Sequence, residues 1–79
     1  MEKVISVFPR DDFTLEMTFS TGEVRVFDAR PYLLKGIFQR LQDVTLFRQA
    51  YVSLDTVCWP DGLDIAPETL YDRSRPLAQ

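Results

Sequence analysis

The sequence predicts an α+β fold, with an antiparallel β-meander of three strands plus one or two further strands and short helices packed on one face. Three observations support it: β-patterned runs in residues 1–28, helical spacing in 29–50, and short β-rich runs with a final helical turn in 51–72. At 79 residues the chain is expected to be a single domain. Its last part, 73–79, has little apolar content and is predicted to be a frayed tail.

The meander is the most strongly patterned part of the sequence. The run VISVFP at 4–9 is rich in β-branched residues and ends at a proline. In FTLEMTFS at 13–20, apolar and polar side chains alternate, which is typical of a strand with one buried face. A turn containing Gly22 then leads to VRVFD at 24–28, so these two runs are expected to form a hairpin.

Helical spacing begins after the meander. Gly36 is expected to break this segment into a short turn at 31–34 and a short helix at 37–41. The run DVTLFRQAY that follows predicts a second short helix, which either Asp43 or Thr45 would cap.

The stretch VCWPDGLDIAPETLY is interpreted as a clasp, by which we mean a segment that completes the hydrophobic core by packing the last helix on the sheet. The runs YVSLD and TVCW are expected to form a second hairpin or one bent strand, and PDG is a turn because glycine tolerates positive φ. The run APETLYD predicts a final short helix, with Pro67 in its first turn and Glu68 near the positive end of its dipole. Asp64 is expected to cap this helix and Trp59 to be buried beneath it.

Composition excludes several classes of protein. The N-terminus has no apolar run long enough for a signal peptide, and no stretch approaches the roughly 20 apolar residues that a membrane helix needs. A single cysteine allows no internal disulfide, so a cytoplasmic protein is expected. The net charge of −3 argues against general binding to a phosphate backbone.

Catalytic chemistry has little support in the sequence. There is no histidine, so neither Cys58 nor any serine can have a histidine base, and no glycine-rich loop could hold a phosphate. An alternative is a metal-dependent enzyme that uses Asp61, Asp64 and Glu68, but their spacing matches no known cation loop. No catalytic, cofactor-binding or metal-binding residue is therefore assigned.

Charge is distributed unevenly along the chain. Residues 29–50 contain four basic residues and one aspartate, a net charge of +3, whereas residues 51–72 contain five acidic residues and no basic one, a net charge of −5. The simplest interpretation is two solvated faces. A sharper one is a two-signed surface that orients another small protein or a second copy of the chain, as in a homodimer. The candidate partner contacts are Arg30, Arg40, Arg48, Asp55, Asp61 and Asp72.

A second functional hypothesis is an accessory that binds nucleic acid. It would use the cations Arg25, Arg30, Lys35 and Arg40. Binding of this kind is sensitive to salt, because it releases counterions from the phosphates.

Three runs, FTLEMTFSTGEVRVFDARPYL, GIFQRLQD and CWPDGLDIAPETLY, resemble a small bacterial family known as domain of unknown function 2442. The resemblance covers residues 4–72, and its most specific part is the Trp-x-x-Gly-x-Asp run followed by Pro-Glu-x-Leu-Tyr. The matching residues are Asp28, Gly36, Phe38, Leu41, Asp43, Trp59, Gly62, Asp64, Pro67, Glu68, Leu70 and Tyr71. Ala66 departs from the pattern, because relatives often have a capping serine there.

The resemblance implies an α+β fold and no established activity. Some relatives carry a helix-turn-helix domain after this module, and others are encoded beside another small protein, as in toxin–antitoxin pairs. With 79 residues, this chain would be the free-standing module. The function expected is a non-catalytic protein-interaction module without a cofactor, as the antitoxin-like or regulatory half of a two-gene pair.

Overall fold

The computed structural model describes residues 2–77, which form two antiparallel sheets joined by short helical segments. The strands in this range are β1 (Val4–Pro9), β2 (Thr14–Phe19), β3 (Val24–Asp28), β4 (Tyr51–Ser53), β5 (Thr56–Trp59), β6 (Leu63–Ile65) and β7 (Arg75–Pro76). The α-helices are α1 (Val44–Phe47) and α2 (Pro67–Asp72), and 3₁₀ segments cover Arg30–Tyr32, Gly36–Gln42 and Pro60–Gly62. Neither α-helix of the described range has the length and apolar character needed to cross a membrane.

The first sheet has the strand order β1-β2-β3-β7, and each of its pairs is antiparallel. Its first three strands are the predicted meander. In β2, Leu15, Met17 and Phe19 are buried, while Glu16 and Thr18 between them are partly exposed. This alternation confirms that one face of the strand covers the core.

The alternating pattern predicts that Phe13 is the first inward-facing residue of β2. In the structure Phe13 precedes the strand and has a φ of 65°. This left-handed conformation is rare for an aromatic residue. Its ring lies edge-on to Phe47, with 5.2 Å between the ring centroids, so packing on the core accounts for the unusual backbone.

The helical segment follows the prediction closely. Gly36 has a φ of 47° and begins a 3₁₀ segment that ends at Gln42 and includes the predicted helix at 37–41. Asp43 caps α1 by accepting a hydrogen bond from the backbone N–H of Thr45, at 3.0 Å. The two open alternatives for the cap are thereby resolved in favour of Asp43.

The second sheet has the order β4-β5-β6 and was not foreseen as a separate sheet. Its first two strands form a hairpin rather than one bent strand, with Leu54 and Asp55 at the centre of the turn. Their φ values of 51° and 66° are those of a type I′ turn. The fold is therefore α+β, as predicted, but its strands divide into two sheets instead of extending a single meander.

The last helix begins differently from the prediction. Asp64 lies in the middle of β6, opposite Cys58, and its side chain does not cap α2. The N-cap is Ala66, which offers no side-chain acceptor, and the helix starts with Pro67. Proline suits the first helical position, because the N–H that it lacks would have no partner within the helix. The predicted cap is wrong because strand pairing holds Asp64 before the helix begins.

The chain beyond α2 returns to the first sheet. Arg75 and Pro76 form β7 alongside β3, and the N–H of Leu77 donates to the carbonyl of Val24 at 3.0 Å. The structure thus differs from the frayed tail predicted for 73–79, whose last two residues lie outside the described part of the chain. Backbone pairing with a distant strand is the physical reason, since the side chains here are exposed.

Both sheets contribute to one hydrophobic core. Trp59 is fully buried, and its Nε1–H donates to the carbonyl of Phe47 at 3.0 Å. The buried core residues are Val4, Leu15, Met17, Phe19, Phe27, Ala29, Leu33, Leu41, Phe47, Val57, Trp59, Leu63, Ile65 and Leu70. The burial of Trp59 fits the interpretation of its stretch as a clasp.

Candidate functional site

Two of the predicted partner contacts are held in ion pairs within the chain. Arg30 donates to both oxygens of Asp28, at 2.9 and 2.8 Å. Arg48 likewise donates to both oxygens of Asp11, at 2.7 Å each. These hydrogen bonds lower the pKa of each carboxyl from its ordinary value. Exposed pairs add little stability, but bidentate geometry fixes where the guanidinium groups lie.

The remaining predicted contacts are looser. Arg40 Nη1 lies 3.6 Å from Asp61 Oδ2, which links the basic middle segment to the acidic segment that follows it. Asp55 Oδ2 lies 4.0 Å from Lys3 Nζ. Asp72 is exposed and makes no ion pair within residues 2–77. The predicted two-signed surface is therefore partly neutralised inside the chain.

The three carboxylates of the enzyme hypothesis lie in three different elements. Asp61 is in the turn before β6, Asp64 is in β6, and Glu68 is in the first turn of α2. In the described range, no three acidic or cysteine side chains lie close enough together to hold a metal ion.

Divalent metal ions are expected to leave the stability of the protein unchanged. A ligand that binds only the folded state raises the free energy of unfolding, so a site formed by these carboxylates would raise the melting temperature. We expect equal melting temperatures, measured by circular dichroism, with EDTA and with millimolar magnesium, calcium or manganese. A rise of several degrees with one metal alone would contradict this expectation.

Cys58 lies in an environment that disfavours reactivity. Its thiol is half-buried in β5, with Sγ 3.6 Å from the carbonyl oxygen of Ser53. Burial, together with the nearby charge of Asp64, raises the pKa of the Cys58 thiol above its ordinary value. Because the thiolate is the reactive form, the raised pKa makes Cys58 a poor nucleophile.

A polar cluster that the sequence did not indicate joins β3 to the C-terminal part of the chain. Arg25 donates from Nε to Ser74 Oγ and from Nη2 to the Ser74 carbonyl, both at 2.7 Å. Its guanidinium carbon lies 4.6 Å from the ring centroid of Tyr71. The Tyr71 hydroxyl donates to Glu23 at 2.7 Å, which lowers the pKa of Glu23 and raises that of Tyr71. Arg25 and Tyr71 thus link β3 and the turn before it to the C-terminal segment.

Large apolar side chains are exposed at several places on the described surface. They are Ile5, Phe8, Leu34, Ile37, Tyr51, Leu54 and Leu77. Single exposed apolar residues are ordinary, but groups of them mark binding surfaces.

One group lies in the helical segment. Leu34 is 74% exposed, and Ile37 is exposed on the other side of the turn at Gly36. Lys35 lies between them, and its Nζ is 5.7 Å from the ring centroid of Tyr32. These residues, 34–37, are called the basic loop below.

Leu54 is the most exposed of the large apolar residues, at 92%. Its left-handed backbone conformation suits glycine or asparagine and is unfavourable for leucine. Phe13 has the same kind of backbone but packs against Phe47, whereas the side chain of Leu54 is almost fully in solvent. Folding of the single chain therefore does not explain a leucine at position 54.

The sequence did not indicate that Leu34, Ile37 and Leu54 are exposed, because apolar residues in short β-rich and helical runs are expected to be buried. The one available signal was the position of Leu54 and Asp55 between two β-runs, which is where a hairpin turn places exposed residues.

A family model matches almost the whole chain. The family is described as "Protein of unknown function (DUF2442)", and the match covers residues 4–76, from the start of β1 to the end of β7. No curated protein and no solved structure matches the chain significantly.

Proposed function

The chain belongs to the DUF2442 family, and from that premise we propose that it is a non-catalytic module that binds another small protein in the bacterial cytoplasm. In this proposal it acts as the antitoxin-like or regulatory half of a two-gene pair. The observation that carries the proposal is the basic loop, where two large apolar side chains flank a lysine on the surface.

The basic loop supports a partner of definite chemistry. Leu34 and Ile37 offer apolar area, whose burial is the main favourable term in most protein–protein association. Lys35 lies between them, and Arg40 follows within the segment whose net charge is +3. A complementary partner is a protein that presents an apolar patch rimmed by carboxylates.

Other features of the surface favour a protein as the partner over a nucleic acid or an enzyme substrate. Of the cations in the nucleic-acid hypothesis, Arg25 is engaged with Ser74 and Tyr71, and Arg30 is paired with Asp28. Both guanidinium groups already have acceptors within the chain, which makes them less available to a phosphate backbone. The raised pKa of the Cys58 thiol argues against its use as a nucleophile.

Affinity purification tests the proposal. The tagged chain is expressed in its native host, and recovered proteins are quantified by mass spectrometry beside a tagged control. We expect one small protein near stoichiometry, and its loss with the double variant Leu34→Ser, Ile37→Ser. The fold of that variant should be intact, because both side chains are exposed. The purified partner should then bind the wild-type chain in a titration.

The matched control is Leu54→Asn, which also removes an exposed leucine but lies outside the basic loop. It is expected to recover the partner as well as the wild type does. Recovery of the tagged chain alone from every lysate would contradict the proposed function. Equal recovery with the double variant would instead exclude the basic loop as the contact surface.

A further inference from the structure

An outer strand of the first sheet lies beside an outer strand of the second. β1 is the outer strand of the first sheet and β4 is an outer strand of the second, and the two are in contact. At one end, the N–H of Val4 donates to the carbonyl of Asp55 at 2.9 Å. At the other end, Arg48 forms its bidentate pair with Asp11. These contacts show that 4–11 and 48–55 run antiparallel.

Counting residues inward from either contact gives the same register between the two segments. Ile5 comes opposite Leu54, and Phe8 comes opposite Tyr51. All four belong to the exposed large apolar side chains of the described surface. These four residues are called the seam strip below, because they follow the contact between β1 and β4 at the junction of the two sheets.

Charges lie at the four corners of the seam strip. Lys3 and Asp55 lie at one end, 4.0 Å apart, and Asp11 and Arg48 lie at the other. All four side chains are largely exposed. Each of the two segments, 3–11 and 48–55, begins with a cation and ends with an anion. Charges of the same sign therefore lie at diagonally opposite corners.

We propose that the seam strip binds the seam strip of a second copy of this chain, face to face across a two-fold axis. An axis parallel to the strands places Lys3 of each copy opposite Asp55 of the other, and Asp11 opposite Arg48. An axis across the strands places Lys3 opposite Asp11, and Asp55 opposite Arg48. In both arrangements opposite charges meet and apolar side chains cover one another, which is the self-complementarity that a two-fold interface requires.

The backbone of β1 is unsuited to the alternative of adding a strand from the second copy. A bulge interrupts its register between Val4 and Ser6, and Pro9 has no N–H to donate. The N–H of Val4 is already bonded to Asp55. Association through side chains, across the face of the seam strip, is therefore the geometry available.

The size of the seam strip sets the strength of the dimer. From Lys3 to Asp11 it extends about 26 Å at roughly 3.3 Å per residue, and it is two segments wide. Two such strips bury an area at the low end of specific interfaces, below about 1,200 Å² in total. We therefore expect a dimer that dissociates on dilution.

Sedimentation equilibrium over a range of concentrations tests the proposal. The full-length chain is expected to shift from monomer to dimer as its concentration rises. Leu54→Asn should weaken the dimer on the order of tenfold or more, because it removes the most exposed of the four apolar side chains. The same variant should melt no lower than the wild type, because asparagine suits the turn better. Misfolding is thereby distinguished from loss of association.

Two further variants separate the seam strip from other surfaces. Asp55→Lys places a cation opposite Lys3 or Arg48 of the second copy, so it should weaken the dimer at low salt and less at high salt. The Leu34→Ser, Ile37→Ser variant lies outside the seam strip and should dimerise like the wild type. A wild-type chain that stays monomeric at millimolar concentration would overturn the proposal, as would unchanged dimerisation of Leu54→Asn. Binding of another protein through the basic loop is independent of either result.

Discussion

Replacing Trp59 by alanine is expected to lower the free energy of unfolding by about 3–5 kcal/mol, the usual loss for a large buried aromatic residue. The indole is fully buried, lies 5.9 Å from the ring of Phe47 between centroids, and donates a hydrogen bond to the Phe47 carbonyl. A domain of this size has about 4–12 kcal/mol of stability in all, at roughly 0.05–0.15 kcal/mol per residue. The variant should therefore lose a large fraction of the stability of the domain and melt well below the wild type.

Urea denaturation followed by circular dichroism measures this loss, since Trp59 is the single tryptophan and fluorescence would be lost with it. Trp59→Phe is the matched control: it keeps an aromatic ring but removes the indole N–H that donates to the Phe47 carbonyl. Its loss should be smaller, about 1–3 kcal/mol. If Trp59→Ala melted within about one degree of the wild type, the stretch from 57 to 71 would not be the clasp of the core.

Replacing Arg25 by methionine is expected to lower the free energy of unfolding by about 2–3 kcal/mol, the range for hydrogen bonds to a charged group. Methionine keeps much of the apolar stem but removes both bonds to Ser74 and the contact with the Tyr71 ring. The side chain of Arg25 is only 13% exposed, so water replaces these partners poorly. The segment after α2 would then be attached to β3 mainly by its backbone pairing.

Equilibrium unfolding in urea gives the overall loss, and hydrogen exchange at Leu77, whose N–H is bonded to Val24, reports on the attachment of β7. Arg25→Lys is the control, because it keeps the charge but lacks the planar guanidinium group that donates two hydrogen bonds to Ser74. It should fall between the wild type and Arg25→Met. Wild-type exchange at Leu77 in Arg25→Met would show that the cluster does not hold β7.

Local patterns predicted the parts of the fold whose structure is set locally. The alternation in β2 was sufficient because one residue in two must face the core. The break at Gly36 and the cap at Asp43 were likewise readable, since each depends on a residue and its immediate neighbours. The strands β6 and β7 were not, because they have three and two residues and are defined by pairing with strands elsewhere in the sequence.

The candidate surfaces depended even more on tertiary structure. Arg48 and Asp11 are separated by 37 positions, so no sequence pattern could show that their charges meet. Leu54 and Val57 both belong to β-rich runs, yet one is exposed at a turn and the other fully buried. Segment charge correctly marked the middle of the chain as basic, but it could not show which cations were already paired.

The order of strands has a consequence for how this chain reaches its fold. Except for β3–β7, every strand pair in the described range joins strands that are consecutive in the sequence. Hairpins between consecutive strands close short loops and form within microseconds. The β3–β7 pair must wait for the whole second sheet and α2 to be in place, because a long intervening segment makes its closure entropically expensive. The pairing of β7 with β3 should therefore be the last step of folding and the first step of local unfolding.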